Sequence, residues 1–117
     1  MSNPGNNQKI NYIEFVSNDI PRSKQFYSTV FGWSFEDWGP DYISFSALGA
    51  GIDGGFRKGE PICGSPLVVL YASDLAATEQ AIVAGGGIIT VPTFDFPCGR
   101  RFHFDDSAGN QLAVWSE

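Results

Sequence analysis

Few side chains in this sequence are equipped for acid–base or anion-binding chemistry, and they are widely scattered. The single histidine, His103, sits in Arg100-Arg-Phe-His-Phe-Asp-Asp106. A histidine so placed either serves as a general acid or is a satisfied structural group. Glu14 is the one carboxylate in the apolar run Tyr12-Ile-Glu-Phe-Val16. Arg57, Arg100 and Arg101 concentrate positive charge in a chain of net charge −6. They either clamp an anionic ligand or pair with Asp53, Asp105 and Asp106. Trp33, Trp38 and Trp115 fall at strand ends or turns, where amphipathic rings border a pocket or pack into a core. Cys63 and Cys98 lie in Gly/Pro turns without metal-like spacing and read as two unrelated reduced thiols.

Several chemistries are excluded by what surrounds these residues. Gly49-Ala-Gly-Ile-Asp-Gly54 matches the dinucleotide fingerprint only formally. That motif works when a helix follows at once, and Gly55-Phe-Arg-Lys-Gly-Glu-Pro61 cannot start one. There is no His-Glu-x-x-His, no Walker loop and no nucleophile elbow. Nothing places a serine beside His103. The acidic balance argues against nucleic acid and against anionic membrane surfaces, and permits a cationic ligand. No run approaches the ~18 apolar residues that suggest a membrane span. The opening Met-Ser-Asn-Pro-Gly-Asn-Asn-Gln-Lys is polar and turn-rich, so residues 1–9 are expected to be a flexible tail and the protein cytoplasmic.

The elements that must position these groups occur in duplicate. Asn11–Ile20 and Pro66–Leu75 are similar apolar runs closing on an acidic helix start, Ser-Asn-Asp-Ile in one and Ala-Ser-Asp-Leu in the other. A period of roughly 55 residues suits two related halves of one domain rather than a solenoid. In the first half, a strand over Lys9–Ser17 leads to a helix capped by Asn18 or Asp19, ending at Gly32. Strands over Trp33–Asp37, Tyr42–Ala47 and Gly51–Lys58 follow. The second half has a strand over Leu67–Ala72, then a helix capped by Ser73 or Asp74 and stopped by Gly85-Gly86-Gly87. Strands over Ile88–Pro92, Arg100–Asp105 and Gln111–Ser116 complete it, with Asp106-Ser-Ala-Gly-Asn110 as a hairpin turn. The fold class is therefore α+β: two paired β-α-β-β-β modules forming a curved mixed sheet around a cleft. Module 1 covers about residues 10–58, a linker 59–65, and module 2 about 66–117, all one domain. The chain is 15% aromatic, which either fills a β-rich core or lines a pocket.

This doubled order, together with Tyr12-Ile-Glu-Phe-Val-Ser-Asn-Asp-Ile-Pro-Arg-Ser-Lys-Gln-Phe-Tyr27, Val30-Phe-Gly-Trp33 and Phe102-His-Phe-Asp-Asp-Ser-Ala-Gly-Asn-Gln-Leu112, resembles the vicinal oxygen chelate superfamily. That superfamily includes glyoxalase I, the bleomycin-resistance proteins and the extradiol dioxygenases. Ser107 stands where its closing hairpin usually has proline. Metal-dependent members place His, Glu or Gln ligands on the first and last strand of each module. The resemblance puts Tyr12, Leu67 or a neighbour, and Ala113 at three of those positions and offers Asp53 near the fourth, with its register open. Leu67 and Ala113 carry no donor atoms, so no metal and no other cofactor is expected.

The resemblance also makes the Tyr12 face of the first strand the cleft face, which Glu14 shares by period-2 alternation. There Glu14 has its pKa raised for acid/base work or holds a cation; otherwise it pairs with a nearby Arg or Lys. The leading reading is a glyoxalase/bleomycin-resistance-like protein that binds a small, partly aromatic molecule. Tyr12, Trp33, Trp38, Arg57, Arg101 and Trp115 would contact the ligand. The alternative is a lyase or isomerase acting on a small carbonyl or thiol-conjugate substrate, with Glu14 as general base and His103 as general acid. A homodimer is expected, because the superfamily often builds its cleft across two chains and small paired sheets leave edges to cover.

Overall fold

A computed structural model describes residues 11–61, 67–97 and 99–117. Cys63 and Cys98 lie outside the described residues, as do the opening tail and most of the linker. The element order is β1 (Tyr12–Ser17), α1 (Ile20–Phe31), β2 (Phe35–Asp37), β3 (Tyr42–Phe45), α2 (Ala47–Ala50), β4 (Asp53–Lys58), then β5 (Val68–Tyr71), α3 (Leu75–Ala84), β6 (Ile88–Phe96), β7 (Gly99–Asp105) and β8 (Gln111–Ser116). The architecture is α+β, with two four-stranded mixed sheets ordered β1-β4-β3-β2 and β5-β8-β7-β6. Each has one parallel pair, β1 with β4 and β5 with β8, and its other pairs are antiparallel.

Both long helices start where the sequence places an aspartate. Asp19 accepts from Arg22 N at 3.1 Å and Asp74 from Ala77 N at 3.1 Å, satisfying N–H groups that the first helical turn leaves without partners. Pro21 is harmless in the first turn of α1, and Gly32 closes that helix at φ 74, a left-handed conformation natural to glycine. The glycine-rich Gly49–Gly54 stretch runs into strand β4 and not into a long helix, consistent with the rejected dinucleotide motif.

Two details differ from the sequence reading. The turn expected at Leu48-Gly49-Ala50 is the one-turn helix α2, started by Ser46 Oγ accepting from Leu48 N and Asp53 Oδ1 accepting from Ala47 N. Strand β6 runs on through Pro92 to Phe96, accommodating the proline at an edge position within the register shift between Val91 and Phe94.

Helix α1 joins the two halves. Its Tyr27 ring lies 5.1 Å from Phe56 of the first sheet, while Phe26 and Phe31 approach Phe104 of the second at 6.5 and 6.3 Å. Phe15, Ile43, Phe45 and Phe56 from one sheet and Phe102, Phe104, Leu112 and Val114 from the other are buried in this core. The aromatic surplus thus goes mainly to packing between sheets and helices. By alternation, the opposite faces of both sheets are left open.

A polar lock sits at the same junction. Asp106, buried at the start of the last hairpin, accepts from Tyr27 OH at 2.8 Å, from the backbone of Ala108 and Asn110, and from Asn110 Nδ2. Asn110 Nδ2 also donates to Val16 O of β1 at 2.7 Å. Burial raises the Tyr27 pKa well above its usual value, helped by the charge of Asp106 and by the hydrogen bond to it. A phenol whose folded-state pKa is raised keeps its proton at pH values where the unfolded chain loses it. Its contribution is complete below the unfolded value, about pH 10, and fades as the pH climbs past it. Urea unfolding should therefore show stability falling above about pH 10, with Tyr27 contributing up to ~1.4 kcal/mol per pH unit. Tyr27→Phe should cost about 1.5–3 kcal/mol at neutral pH and remove that part of the alkaline slope. An unchanged slope in the variant would contradict this role.

Candidate functional site

The open face of the first sheet is assembled by strand register. Tyr12 lies beside Asp53 and Glu14 beside Gly55 across the parallel β1–β4 pair, Tyr42 opposite Arg57 across β3–β4, and Ser44 opposite Glu36 across β2–β3. The register of Asp53, left open by the sequence, is thereby fixed next to Tyr12. A pocket of about 690 Å³ occupies this face, lined by Tyr12, Ser34, Phe35, Glu36, Trp38, Tyr42, Ser44, Phe45, Ser46 and Asp53. That volume is in the range of small-molecule sites. Every lining residue belongs to the first sheet and its connections. The pocket is therefore not the cleft between two halves that the duplicated sequence suggested.

A directed chain of hydrogen bonds runs from beside the pocket to Tyr42 and Tyr12 in its lining. Arg57 Nε lies 3.4 Å from Glu14 Oε1, Tyr42 OH donates to Glu14 Oε2 at 3.1 Å, and the Tyr42 and Tyr12 hydroxyls are hydrogen-bonded. An ionised carboxylate only accepts, so Tyr42 uses its one proton on Glu14, and Tyr12 must donate to Tyr42. The Tyr12 oxygen then has only lone pairs left to offer a ligand. Polarisation along such a chain strengthens it as an acceptor. Burial raises the Tyr42 pKa, and the bonds to Tyr12 and Glu14 raise it further.

Glycine is required beneath this chain. A Cβ on Gly55 would come within 2.5 Å of the Tyr42 hydroxyl oxygen and 2.7 Å of Ile43 O, so Tyr42 could not lie where it does. On the pocket wall, Trp38 is 59% exposed while its Nε1 donates to Ser44 Oγ at 2.8 Å. That bond holds the ring in place and leaves it available for stacking.

The sequence-predicted residues divide between two sheets. Tyr12 and Trp38 line the pocket, and Glu14 and Arg57 pair beside it. Arg57 thus meets Glu14, not Asp53. Trp33, expected at a pocket border, is instead 7% exposed in the core, its ring 4.8 Å from both Tyr27 and Phe45. The Gly32 cap turns the chain back and Trp33 N bonds Tyr27 O at 3.3 Å, carrying the side chain inward. Arg101, His103 and Trp115 lie on the open face of the second sheet. Glu14 and His103 share no hydrogen bond, and the partners of Glu14 are both on its own sheet. Sequence reasoning missed Phe35, Glu36, Tyr42 and Ser44 as site residues. Alternation along β2 and β3 contained the signal for Glu36, Tyr42 and Ser44.

The four positions that the resemblance assigns to metal ligands do not make a site for a divalent ion. Tyr12 is committed to Tyr42, Asp53 Oδ1 accepts from Ala47 N at 2.8 Å, and Leu67 and Ala113 have hydrocarbon side chains. Two oxygen donors fall short of the three protein ligands typical of a catalytic metal. Among the described residues no three His, Cys, Asp or Glu gather elsewhere. No helix among them is long and apolar enough to cross a membrane.

The sheet order, the doubled β-α-β-β-β units and the open-face pocket define a glyoxalase-fold protein. The chain belongs to the Glyoxalase/Bleomycin resistance protein/Dioxygenase superfamily, which it matches over residues 9–114. It is similar to the "Putative glyoxylase CFP32" of Mycobacterium bovis and Mycobacterium tuberculosis, with 26% identity over 90% of this chain and 44% of the relative. The chain thus spans less than half the length of the curated relatives it matches. Among solved structures, a glyoxalase-related enzyme from Fulvimarina pelagi has a TM-score of 0.78 at 21% identity, covering 94% of this chain and 88% of that one. A variant of the fosfomycin resistance protein FosX from Listeria monocytogenes, complexed with Mn(II) and a dihydroxypropylphosphonic acid, has a TM-score of 0.79 at 15% identity over 93% and 90%. Both likenesses establish the fold alone.

The hydrogen-bond chain predicts a titration signature. Glu14→Gln removes the charge that helps to hold the Tyr42 proton, so near-ultraviolet alkaline titration should show one phenol ionising at lower pH than in the parent protein. Because Glu14 and Arg57 are about half exposed, the variant should lose no more than about 1 kcal/mol of stability. An unaltered tyrosine titration would refute the chain.

Proposed function

We propose that this protein binds a small, flat, positively charged molecule in the pocket of the first sheet, without a metal. The observation that carries the reading is the pocket's chemistry: two carboxylates, Glu36 and Asp53, five aromatic rings and no cationic side chain line it. Arg57, opposite Tyr42 across the β3–β4 ladder, has its charge offset by Glu14. The Tyr12 oxygen adds an acceptor at the floor. Trp38 supplies an exposed ring on which a planar cation gains both stacking and cation–π attraction. A ligand with N–H donors and a flat body would meet acceptors at one end and an aromatic wall at the other. The biochemical role is sequestration or carriage of such a molecule, in keeping with the bleomycin-resistance branch of the superfamily.

Benzamidinium, benzamide and benzoate share one shape and differ in charge, so calorimetric titration with the three isolates the electrostatic component. Benzamidinium should bind and neutral benzamide should bind at least tenfold more weakly, about 1.4 kcal/mol. Asp53→Asn and Trp38→Ala should each weaken benzamidinium by roughly tenfold, the former through charge and the latter through stacking. Equal binding of benzamidinium and benzamide, or indifference to both substitutions, would remove this pocket as a cation site. Added Mn(II), Zn(II) or Ni(II) should leave the benzamidinium affinity unchanged.

A further inference from the structure

The hydrogen-bond chain from Glu14 to Tyr12 also decides which way protons point in the pocket. Tyr42 OH donates to Glu14 Oε2 at 3.1 Å, while Glu14 Oε1 lies 3.4 Å from Arg57 Nε. The Tyr42 oxygen is then left to accept the one proton of Tyr12. Another donor of the lining is likewise engaged, since Trp38 Nε1 gives its single proton to Ser44 Oγ at 2.8 Å. Both phenols and the indole therefore turn no proton towards a ligand. Ser34, Ser44 and Ser46 complete the side-chain hydroxyls of the lining, and these rotate to suit a neighbour and set no direction of their own.

What the lining offers in a fixed orientation is acceptors. Tyr12 keeps its lone pairs, and its neighbour across the β1–β4 ladder, Asp53, uses Oδ1 on Ala47 N at 2.8 Å and retains its second oxygen. The residue that imposes this order is not itself in the pocket. Glu14 is absent from the lining and reaches it only through Tyr42, which lies over Gly55 where a Cβ would come within 2.5 Å of its hydroxyl oxygen. A carboxylate has no proton to return along the chain. An amide of the same shape at position 14 could donate as well as accept, so the direction is a property of charge and not of shape.

We propose that Glu14 is a positioning residue that fixes the hydrogen-bond polarity of the pocket, so that the pocket selects cations bearing N–H groups over cations of equal charge whose nitrogen is fully alkylated. The inference rests on the reading of this pocket as an organic-cation site and names the class of cation. An amidinium, a guanidinium or a primary ammonium gives its protons to the Tyr12 oxygen and to Asp53, which stand side by side. A quaternary ammonium carries the same charge and meets the same Trp38 ring, yet brings no proton and leaves the Tyr12 oxygen without a partner. Tyr12 cannot turn its own proton towards a ligand without breaking its bond to Tyr42. The preference is thus imposed from outside the pocket, two hydroxyls away.

Calorimetric titration of the full chain with benzylammonium and benzyltrimethylammonium, alike in charge and ring, reads the preference as a ratio of affinities. The unaltered protein should favour benzylammonium by about tenfold. Glu14→Gln removes a negative charge and releases Arg57, which weakens both probes, so the ratio isolates polarity; it should fall to about threefold or less. Tyr42→Phe keeps the Glu14 and Arg57 charges but leaves Tyr12 free to turn its proton into the pocket, and should lower the ratio as far. The double variant should lower it no further than either single change, because both act through one chain. Trp38→Ala should weaken both probes and leave the ratio in place. If one of the two chain variants folds poorly, the other carries the test. Equal binding of the two probes by the unaltered protein would overturn the proposal while leaving a cation site. A preference that survives both Glu14→Gln and Tyr42→Phe would do the same, since the extra methyl groups would then be excluded by size. Failure of either probe to bind at all would overturn the cation reading and this inference with it.

Discussion

The structure turns on one buried carboxylate. Asp106 is 3% exposed in an aromatic core, where an unsatisfied charge would be prohibitively costly. Four donors resolve that problem: the Tyr27 hydroxyl from the first half of the chain, two backbone N–H groups of its own hairpin, and the Asn110 amide. The Asn110 amide also reaches Val16 O on β1. Satisfying the charge therefore requires the last hairpin of the second half to dock against the first helix and first strand of the first half. Aromatic packing of Phe26 and Phe31 on Phe104 supplies non-directional adhesion; the Asp106 network selects one arrangement. The residues involved, Tyr27, Asp106 and Asn110, fall within the segments by which the sequence resembles its superfamily. Their physical role is to join the halves, which explains why those segments report the fold far better than the reaction.

With the inner faces committed to that junction, chemistry is left to the outer faces, and the two have diverged. The first carries Glu14, Glu36 and Asp53 around two phenols. The second carries an arginine among aromatic rings. The two faces of a duplicated architecture thus differ in composition: on the first Arg57 is paired with Glu14, and on the second Arg101 lies against aromatic rings. The positions that the resemblance assigns to metal ligands are Tyr12, Asp53, Leu67 or a neighbour, and Ala113. The first two have been drawn into hydrogen bonds and the last two offer none. Glycine at 55 serves the same hydrogen-bond chain, because only a residue without Cβ lets Tyr42 cross β4 to reach Glu14.

Much of this was legible from local rules. Aspartate caps and glycine stops placed α1 and α3 closely, and period-2 alternation correctly put Tyr12 and Glu14 on one face. Alternation cannot say what stands across the ladder, however. The Arg57–Glu14 pair depends on the parallel register of β1 with β4, strands that are about forty residues apart. Trp33 was misplaced because its direction is set by the left-handed turn at Gly32 and by a hydrogen bond back to Tyr27, not by strand periodicity. The helix α2 was missed because it is one turn long and depends on Asp53, a residue beyond its own end. The pocket itself was assigned to the space between halves, since duplication suggests such a cleft. The core aromatics fill the junction between the halves, and the pocket lies on the first sheet's outer face.

The central proposal is that Tyr12, Asp53, Glu36 and Trp38 recognise an organic cation on the open face of the first sheet, without a metal. A crystal structure grown in the presence of both benzamidinium and excess Mn(II) tests it in one measurement. The account predicts the amidinium beside Asp53 and Tyr12 with its ring against Trp38, and no manganese held there by protein side chains. Anomalous density for manganese coordinated by three or more side chains in that pocket, with benzamidinium absent, would contradict it.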